Sequence, residues 1–513
     1  MNVVNWVYFW ARMHPHRLAL DADGDRRDWA ELASQTTAAA AGLRAAGAKR
    51  GDRVAILGRN SVAWCMACLA GWRLDAIVVP INVLLSADEI AEILDRSGAT
   101  IVLADEELSG RLRVARQRLP ALRVVVLDGA PQPGETALQD LIARADESVL
   151  GESDADDSDV ALLCFTSGTT GLPKGVTITQ GSIFSQCTDR VMFSGFTSDN
   201  LRMISAVPLS SAGGVVGYAM CVFDGGTYYT HRKFDEEEML RLIQQEKISV
   251  LRGVPTMYER MARHPLFNSV DLSSVFSASC GGAPVDPETL LAFMGKGVPI
   301  SQVYGATEFG GALCELPKDL ATEYPASVGF PGAQSRVRVV DERDVDVPAG
   351  AVGEIVARGP TIVQAYWRDP ELTAAAFTDG WYHTGDMGRL EDGLLYIVDR
   401  KKDMYISGGL NVYPAEVERV ISGFDDVAQV AVVGVPDQRW GETGAAVVFA
   451  PDDEVSAEKI VAHCRERLAH YKVPSHVFVV TEPLPSSSLG KILRREVREM
   501  VRQRLATADV ADA

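Results

Sequence analysis

The sequence predicts an α/β fold built in more than one domain, and three observations lead there. Strand and helix signals alternate from about residue 25 to residue 150, the pattern of parallel sheets crossed by helices. The chain has 513 residues, more than one hydrophobic core encloses. After about residue 328 the texture changes to short β runs separated by Gly, Pro and Asp turns, which marks a smaller β-rich unit.

Taken in order, Val3 to Trp10 is a short apolar and aromatic run that reads as a packed N-terminal helix. Trp29 to Ala46 is an alanine-rich helix stopped near Gly47. Arg53 to Gly58 is a short buried strand and Ser61 to Leu74 a helix. Ile77 to Ile81 is a strand, and the next helix starts at Ser86 with Glu89 three residues on, a capping-box spacing. Ile101 to Ala104 and Val124 to Leu127 complete this series, and Gly151 to Asp159 is an acidic linker. Arg202 to Leu209 resumes as strand, Gly213 to Phe223 and Asp235 to Glu246 as helices, and Ile248 to Val254 as strand. Thr256 to Arg263 is helical, while Ser277 to Pro284 and Ile300 to Tyr304 are strands running into glycine turns. Val337 to Val340, Gly353 to Ala357 and Leu395 to Val398 are the β runs of the smaller unit. From Val412 to Ala450 the order is helix, strand, strand; Ser456 to Leu468 is a helix, Val477 to Val480 a strand and Arg494 to Leu505 a basic amphipathic helix. That last stretch makes a compact α+β domain of about 110 residues.

Composition narrows the function. A net charge of −19 argues against nucleic acid or an anionic membrane as a general partner. No run approaches a membrane-spanning length free of charge. Eight scattered cysteines suit a reducing cytoplasm, and the single C-x-x-C pair, Cys65 and Cys68, falls in an apolar helix where packing explains it. The histidines show no clustered ligand spacing, so no protein-bound zinc site is expected.

One stretch concentrates phosphate-binding chemistry. Phe165-Thr166-Ser167-Gly168-Thr169-Thr170-Gly171-Leu172-Pro173-Lys174-Gly175 follows an apolar strand and crowds hydroxyls, unobstructed backbone N–H groups and a lysine together. The common P-loop spacing is absent, and composition alone leaves a polar turn and a phosphate cradle equally open. Four further segments place reactive types on loops: Tyr304-Gly305-Ala306-Thr307-Glu308, Tyr382-His383-Thr384-Gly385-Asp386, Asp399-Arg400-Lys401-Lys402-Asp403 and Leu489-Gly490-Lys491-Ile492.

In this order and at these separations the five segments resemble the adenylate-forming superfamily of acyl-CoA synthetases, adenylation domains and luciferases, from roughly residue 5 to residue 500. The resemblance implies a large N-terminal domain, residues 1–400, of two α/β subdomains plus a small β-barrel-like one. It implies a mobile α+β C-terminal domain over residues 401–513. It also implies a two-step ligase: a carboxylate attacks the α-phosphate of ATP, and a thiol then displaces AMP from the acyl-adenylate. By motif, Thr166, Ser167, Gly168, Thr169, Thr170, Gly171 and Lys174 hold the β- and γ-phosphates. Thr307 meets the α-phosphate and Glu308 holds Mg²⁺, a hard cation suited to carboxylate and phosphate oxygens. Gly281, Gly282 and Ala283 leave room for adenine against Tyr304 and Gly305, and Asp386 and Arg400 take the ribose. Lys491 bridges carboxylate and α-phosphate. Lys402 is the hinge whose rotation presents Ser407, Gly408 and Gly409 to a pantetheine tunnel.

The segment Ile406 to Glu416 resembles free-standing acyl-CoA ligases, and Trp440 matches a position near coenzyme A in some relatives. Coenzyme A is therefore the expected acceptor, with an acyl carrier protein as the alternative; a homodimer is an open assembly. The acyl pocket is expected at Ser211, Gly213, Asp224 and Gly310. Ser211 stands where many relatives carry a histidine or aromatic ring, so the pocket is wider or more polar. The expected substrate is a fatty, alicyclic or aryl acid. The rival is a β-amino or other polar acid, favoured if Asp224 lines the pocket, though a turn aspartate explains Phe223-Asp224-Gly225-Gly226 as well.

Overall fold

A computed structural model of the chain describes residues 2–167, 172–194, 201–424, 426–451, 455–486 and 491–511. It divides into two compact units: Met1–Arg336 with Ala357–Tyr382, and Val337–Val356 with His383–Ala513.

The first unit holds two large sheets. A nine-stranded one runs in the order Phe330–Pro331, Gly311–Glu315, Ile300–Ala306, Ser277–Gly281, Val250–Gly253, Arg202–Ser205, Thr227–Thr230, Leu18–Ala22, Asp25–Asp28. Its interior pairs are parallel, but both edges close antiparallel, by Gly311–Glu315 against Ile300–Ala306 and by the Leu18–Asp28 hairpin. The expectation of parallel sheets thus holds for the interior and fails at the edges. The strand expected to reach Leu209 stops at Ser205; beyond it Pro208 has no N–H to give a ladder, and its carbonyl accepts from the Ser211 N–H.

The seven-stranded sheet runs Thr136–Ala137, Arg123–Val126, Ile101–Ala104, Arg53–Leu57, Ile77–Pro80, Val160–Ser167, Pro173–Thr179. Between its strands lie the expected helices. Val62–Arg73 is capped by the Ser61 side chain and buries both Cys65 and Cys68 completely, as the packing explanation requires. Ala87–Ser97 starts with the full Ser86–Glu89 capping box, each side chain bonding the other residue's backbone N–H. All eight cysteines are buried and free.

The last strand corrects one sequence reading. Lys174 belongs to the segment read as either a polar turn or a phosphate cradle, yet Pro173–Thr179 returns as a strand antiparallel to Val160–Ser167, with Lys174 opposite Thr166. The β-branched run Val176-Thr177-Ile178-Thr179 favours that extension.

In the second unit the strands Arg336–Val340, Gly353–Arg358, Trp381–Glu391 and Leu394–Arg400 form the small sheet, the first three shared along the chain with the first unit. A five-stranded sheet follows, in which Gln429–Asp437 and Gly441–Phe449 form a long hairpin beside Tyr405–Ser407, Leu410–Val412 and His476–Val480. Val417, Val432, Val448, Ile460 and Cys464 form a core on one face of it; Val433, Val447, Val497 and Val501 form another. Among the described residues no helix is long and apolar enough to cross a membrane.

Candidate active site

Within the first unit, Lys174, Glu308, Tyr366 and Tyr382 converge. Lys174 Nζ donates to Glu308 Oε1 at 2.5 Å and to the Tyr366 hydroxyl at 3.1 Å. Tyr366 donates to the same Glu308 oxygen at 3.3 Å and shares a 3.1 Å bond with the Tyr382 hydroxyl. Burial works against the Lys174 charge, but Glu308 and Tyr366 outweigh it and hold the ammonium above its ordinary pKa. Burial, reinforced by Glu308, keeps the Tyr366 and Tyr382 phenols protonated. Thr166, directly across the ladder from Lys174, shares its face of the sheet, and its buried hydroxyl has no partner among the described residues. Ser167 pairs through its backbone with Pro173; Gly168, Thr169, Thr170 and Gly171 lie outside the described residues.

Glu308 sits in the single turn Thr307–Phe309, fixed by a 2.7 Å bond from the Val363 N–H to its carbonyl. Its Oε2 makes no hydrogen bond among the described residues, so a second carboxylate oxygen beside the cluster fits a hard cation. Gly281 pairs with Val303 on the adjacent strand, one residue before Tyr304, and Gly282 and Ala283 are exposed beyond it. Tyr304 is nearly buried, edge-on to Phe309 with ring centres 5.6 Å apart. At Gly305 an added Cβ would lie 2.3 Å from the Gly311 carbonyl, so bare backbone is required there.

The residues expected at the acyl pocket are spread along the Ala212–Asp224 helix. Ser211 caps its start, accepting from the Gly214 N–H at 3.2 Å and donating to the Pro208 carbonyl at 2.8 Å. Gly213 faces open space, and Gly310 lies near Ile178. Asp224 closes the opposite end, about 20 Å along the axis from Ser211. Burial lifts its carboxyl to about 7, opposed by the charge of Arg190. Gln186, which no motif marked, donates to the Phe309 and Ala312 carbonyls at 2.7 Å and stiffens the turn carrying Glu308.

The second unit holds the other group. Asp386 and Arg400 are cross-strand partners, with Arg400 Nε 3.3 Å from Asp386 Oδ1. Thr384 Oγ1 accepts from the Asp386 N–H and donates to the Ile355 carbonyl at 2.7 Å. Glu354, also unmarked in the sequence, accepts from the Gly385 N–H and from Lys401 Nζ. Lys491 lies within electrostatic reach of Asp386, Arg400, Asp403 and Arg494. Part of its side chain stays exposed, but the protein crowded around it, with Arg400 adding to the effect, lowers its pKa to about 8.

Lys402 is exposed and forms no ion pair among the described residues, whereas Lys401 is tied to Glu354 and Asp403 lies near Arg494 and Arg498. The segment Ser407-Gly408-Gly409-Leu410 is a two-residue hairpin turn with φ of +59° and +82° at its glycines, a turn signal the sequence reading passed over. The Gly408 N–H donates to the Trp440 carbonyl at 2.8 Å, and an added Cβ there would meet the indole at 2.9 Å. Ser407, Trp440, Thr443, His470, Tyr471 and Ser475 line a small open cleft of about 100 Å³.

One cluster outside both groups has metal-type side chains, Asp23, His231 and Glu238, drawn from three separate segments. It is already clamped by protein: His231 Nδ1 lies 2.6 Å from Asp23 Oδ1, and Asp23 Oδ2 accepts from the Arg232 N–H.

Comparison with known families decides the class. The profile of the AMP-binding enzyme family matches residues 7–367, and that of its C-terminal domain matches residues 416–491. The chain belongs to the AMP-binding enzyme family. A feruloyl-CoA synthase of Amycolatopsis sp. is 38% identical over 96% of this chain and 98% of that relative. A Mycobacterium tuberculosis ligase of a methyl-dioxo-octahydroindenyl propanoyl group is 38% identical over 95% of this chain and 97% of that relative. The o-succinylbenzoate CoA synthetase of Bacillus subtilis, solved with its acyl-adenylate, superposes with a TM-score of 0.87 at 29% identity, covering 96% and 97% of the two chains. This adenylate-forming enzyme is an AMP-forming acid–thiol ligase that uses ATP, Mg²⁺ and coenzyme A.

Proposed function

We propose that the acid activated is ring-bearing, aryl or alicyclic, and that the two charged groups divide the adenylation chemistry. The observation carrying the substrate reading is the width beside the Glu308 turn. Gly213 faces open space, Gly310 carries no side chain, and the atoms nearest a Cβ on Gly311 belong to Gln186 and Val216, at 3.5–3.8 Å, ordinary contact distances. The three relatives above act, by their names, on feruloyl, bicyclic propanoyl and succinylbenzoyl groups.

Adenylation brings a carboxylate against phosphate anions, so fixed positive charge is the main requirement. Lys174, held protonated, exchanges Glu308 for the β- and γ-phosphates, alongside the unpartnered Thr166 hydroxyl. Thr307 donates to the α-phosphate, and the Glu308 carboxylate receives Mg²⁺. Mg²⁺, when bound, neutralises phosphate charge as the α-phosphate is attacked. Asp386 and Arg400 orient the ribose, Gly281, Gly282 and Ala283 border the adenine with Tyr304, and Lys491 meets carboxylate and α-phosphate together. Residues 1–400 and 401–513 act as the two bodies of the cycle, with Lys402 as pivot. The full-length relatives, named as CoA synthases and ligases, support coenzyme A rather than a carrier protein as the thiol donor.

The polar-acid rival needs an ammonium at Asp224. Arg190 acts on that carboxylate, and a second cation there meets repulsion. Eight buried, unpaired cysteines support a reducing cytoplasm as the working compartment. The test is pyrophosphate release over a panel of ring-bearing, straight-chain and β-amino acids, with and without coenzyme A. Ring-bearing acids are expected to lead by kcat/KM and to yield thioester; a clear preference for straight-chain or β-amino acids overturns the reading.

A further inference from the structure

The strand Val250–Gly253 carries an arginine in a row where its neighbours carry serines. Ser205 aligns with Arg252, Arg252 with Ser279, and Ser279 with Ser301, so parallel register sets all four side chains on one face of the sheet. The Ala212–Asp224 helix packs over that face. A Cβ on Gly217 would lie 2.9 Å from Arg252 Nη1, so the missing side chain there is the space the guanidinium occupies. Glycine inside a helix is destabilising relative to alanine, which the helix accepts here.

Arg252 is not neutralised locally. Among the described residues its only hydrogen-bond partner is Met220 Sδ, at 3.2 Å, and a thioether is a weak acceptor for a head with five N–H donors. Glu315, the acid acting on it, is ion-paired with Arg190. Burial, with Arg190 adding to it, lowers the Arg252 pKa. Even so the residue is only half-buried, so it borders space that water reaches. A deeply placed cation without an anion is expensive unless something else supplies the acceptor.

That space lies next to the acyl end of the proposed site. Val216, the helix neighbour of Gly217, is with Gln186 one of the two side chains nearest a Cβ on Gly311, and Gly311 follows Glu308 by three residues. Gly217 and Val216, adjacent on this helix, thus connect the guanidinium on one side with the Gly311 backbone on the other.

We propose that Arg252 determines acyl specificity by binding an oxygen acceptor, a carbonyl or a carboxylate, carried on the substrate's ring at the end remote from the activated carboxyl. The proposal rests on the ring-acid reading above and sharpens it: the substrate is a ring acid with a second polar end. Gly217 makes room for the head that reads it.

The test uses matched acids and the full-length enzyme. Para-acetyl-hydrocinnamate is compared with para-isopropyl-hydrocinnamate, and para-carboxy- with para-methyl-hydrocinnamate, by ATP–pyrophosphate exchange. Wild type is expected to favour the acceptor-bearing member of each pair, mainly through KM. Arg252→Met is expected to lower that kcat/KM ratio about 10- to 100-fold, the worth of a hydrogen bond to a charged group. Gly217→Ala, which crowds the guanidinium and keeps its charge, is expected to lower the ratio by a smaller factor. Loss of activity in equal proportion on both members of a pair, in either variant, overturns the proposal, and Gly217→Ala decides alone if Arg252→Met does not fold. Wild-type activity on all four acids with no preference overturns this proposal and leaves the ring-acid reading standing. Activity on straight-chain acids with none on the four overturns the ring-acid reading itself.

Discussion

Lys174 and Lys491 are the same side chain in two surroundings, and burial opposes the charge of both. Around Lys174 a carboxylate and a phenol face one ammonium, so the charge is held and the pKa rises. Around Lys491 two arginines offset two aspartates, and the pKa falls to about 8. One lysine is a fixed cation; the other is unstable in its charge until anions arrive. The difference teaches that burial discharges a lysine unless neighbouring anionic and phenolic oxygens outweigh it.

The comparison breaks most sharply at Lys491. Lys491→Ala is expected to slow adenylation on the order of 100-fold or more, as loss of a transition-state donor does elsewhere. Thioester formation from supplied acyl-adenylate is expected to survive; equal loss in both half-reactions removes the assigned role. Lys402→Pro tests whether the second group changes place during the cycle. Fixing φ at a pivot that must rotate costs about 3 kcal/mol, so the thioester step is expected to fall roughly 100-fold while pyrophosphate exchange persists. Retention of both steps places the pivot elsewhere.

The pH profile sharpens the contrast further. Lys491 carries its charge below about 8 and loses it above, so exchange is expected to fall as pH rises through that value, approaching tenfold per unit. Lys491→Arg is expected to remove that alkaline limb, since a guanidinium stays charged. Lys174→Arg is expected to leave it in place, because the Lys174 pKa is raised rather than lowered. The smallest effect is Tyr366→Phe. Removing one hydrogen bond to Glu308 is expected to cost about 1 kcal/mol, a few-fold in exchange rate with the alkaline limb unmoved.

Legibility in the sequence followed the range of the interactions. Ser86 with Glu89, the Val62–Arg73 helix and the alternating strands depend on neighbours within a few residues, and they stand as expected. The charged motifs were legible because each is contiguous. Tyr366 meets Glu308 across 58 residues and Gln186 meets Phe309 across 123, separations at which no local pattern exists. The strand carrying Lys174 was missed because glycine and proline before it signal a turn, which is right, while the return strand is settled by pairing with Val160–Ser167. Ser211 read as a lost pocket ring, and its hydroxyl proves to be a helix cap. Arg252 sits unremarked in a strand, since its meaning depends on a glycine 35 positions earlier.

The eight buried cysteines have a chemical consequence for a catalyst that makes thioesters. An acyl-adenylate transfers its acyl group to any thiolate it meets, and coenzyme A exchanges with any protein disulfide. Burial raises the thiols of this chain, Cys164 to about 12 and Cys464 to about 11, so at neutral pH almost none is ionised. The protein therefore presents almost no competing thiolate of its own, and thioester chemistry is reserved for the thiol that is meant to receive the acyl group.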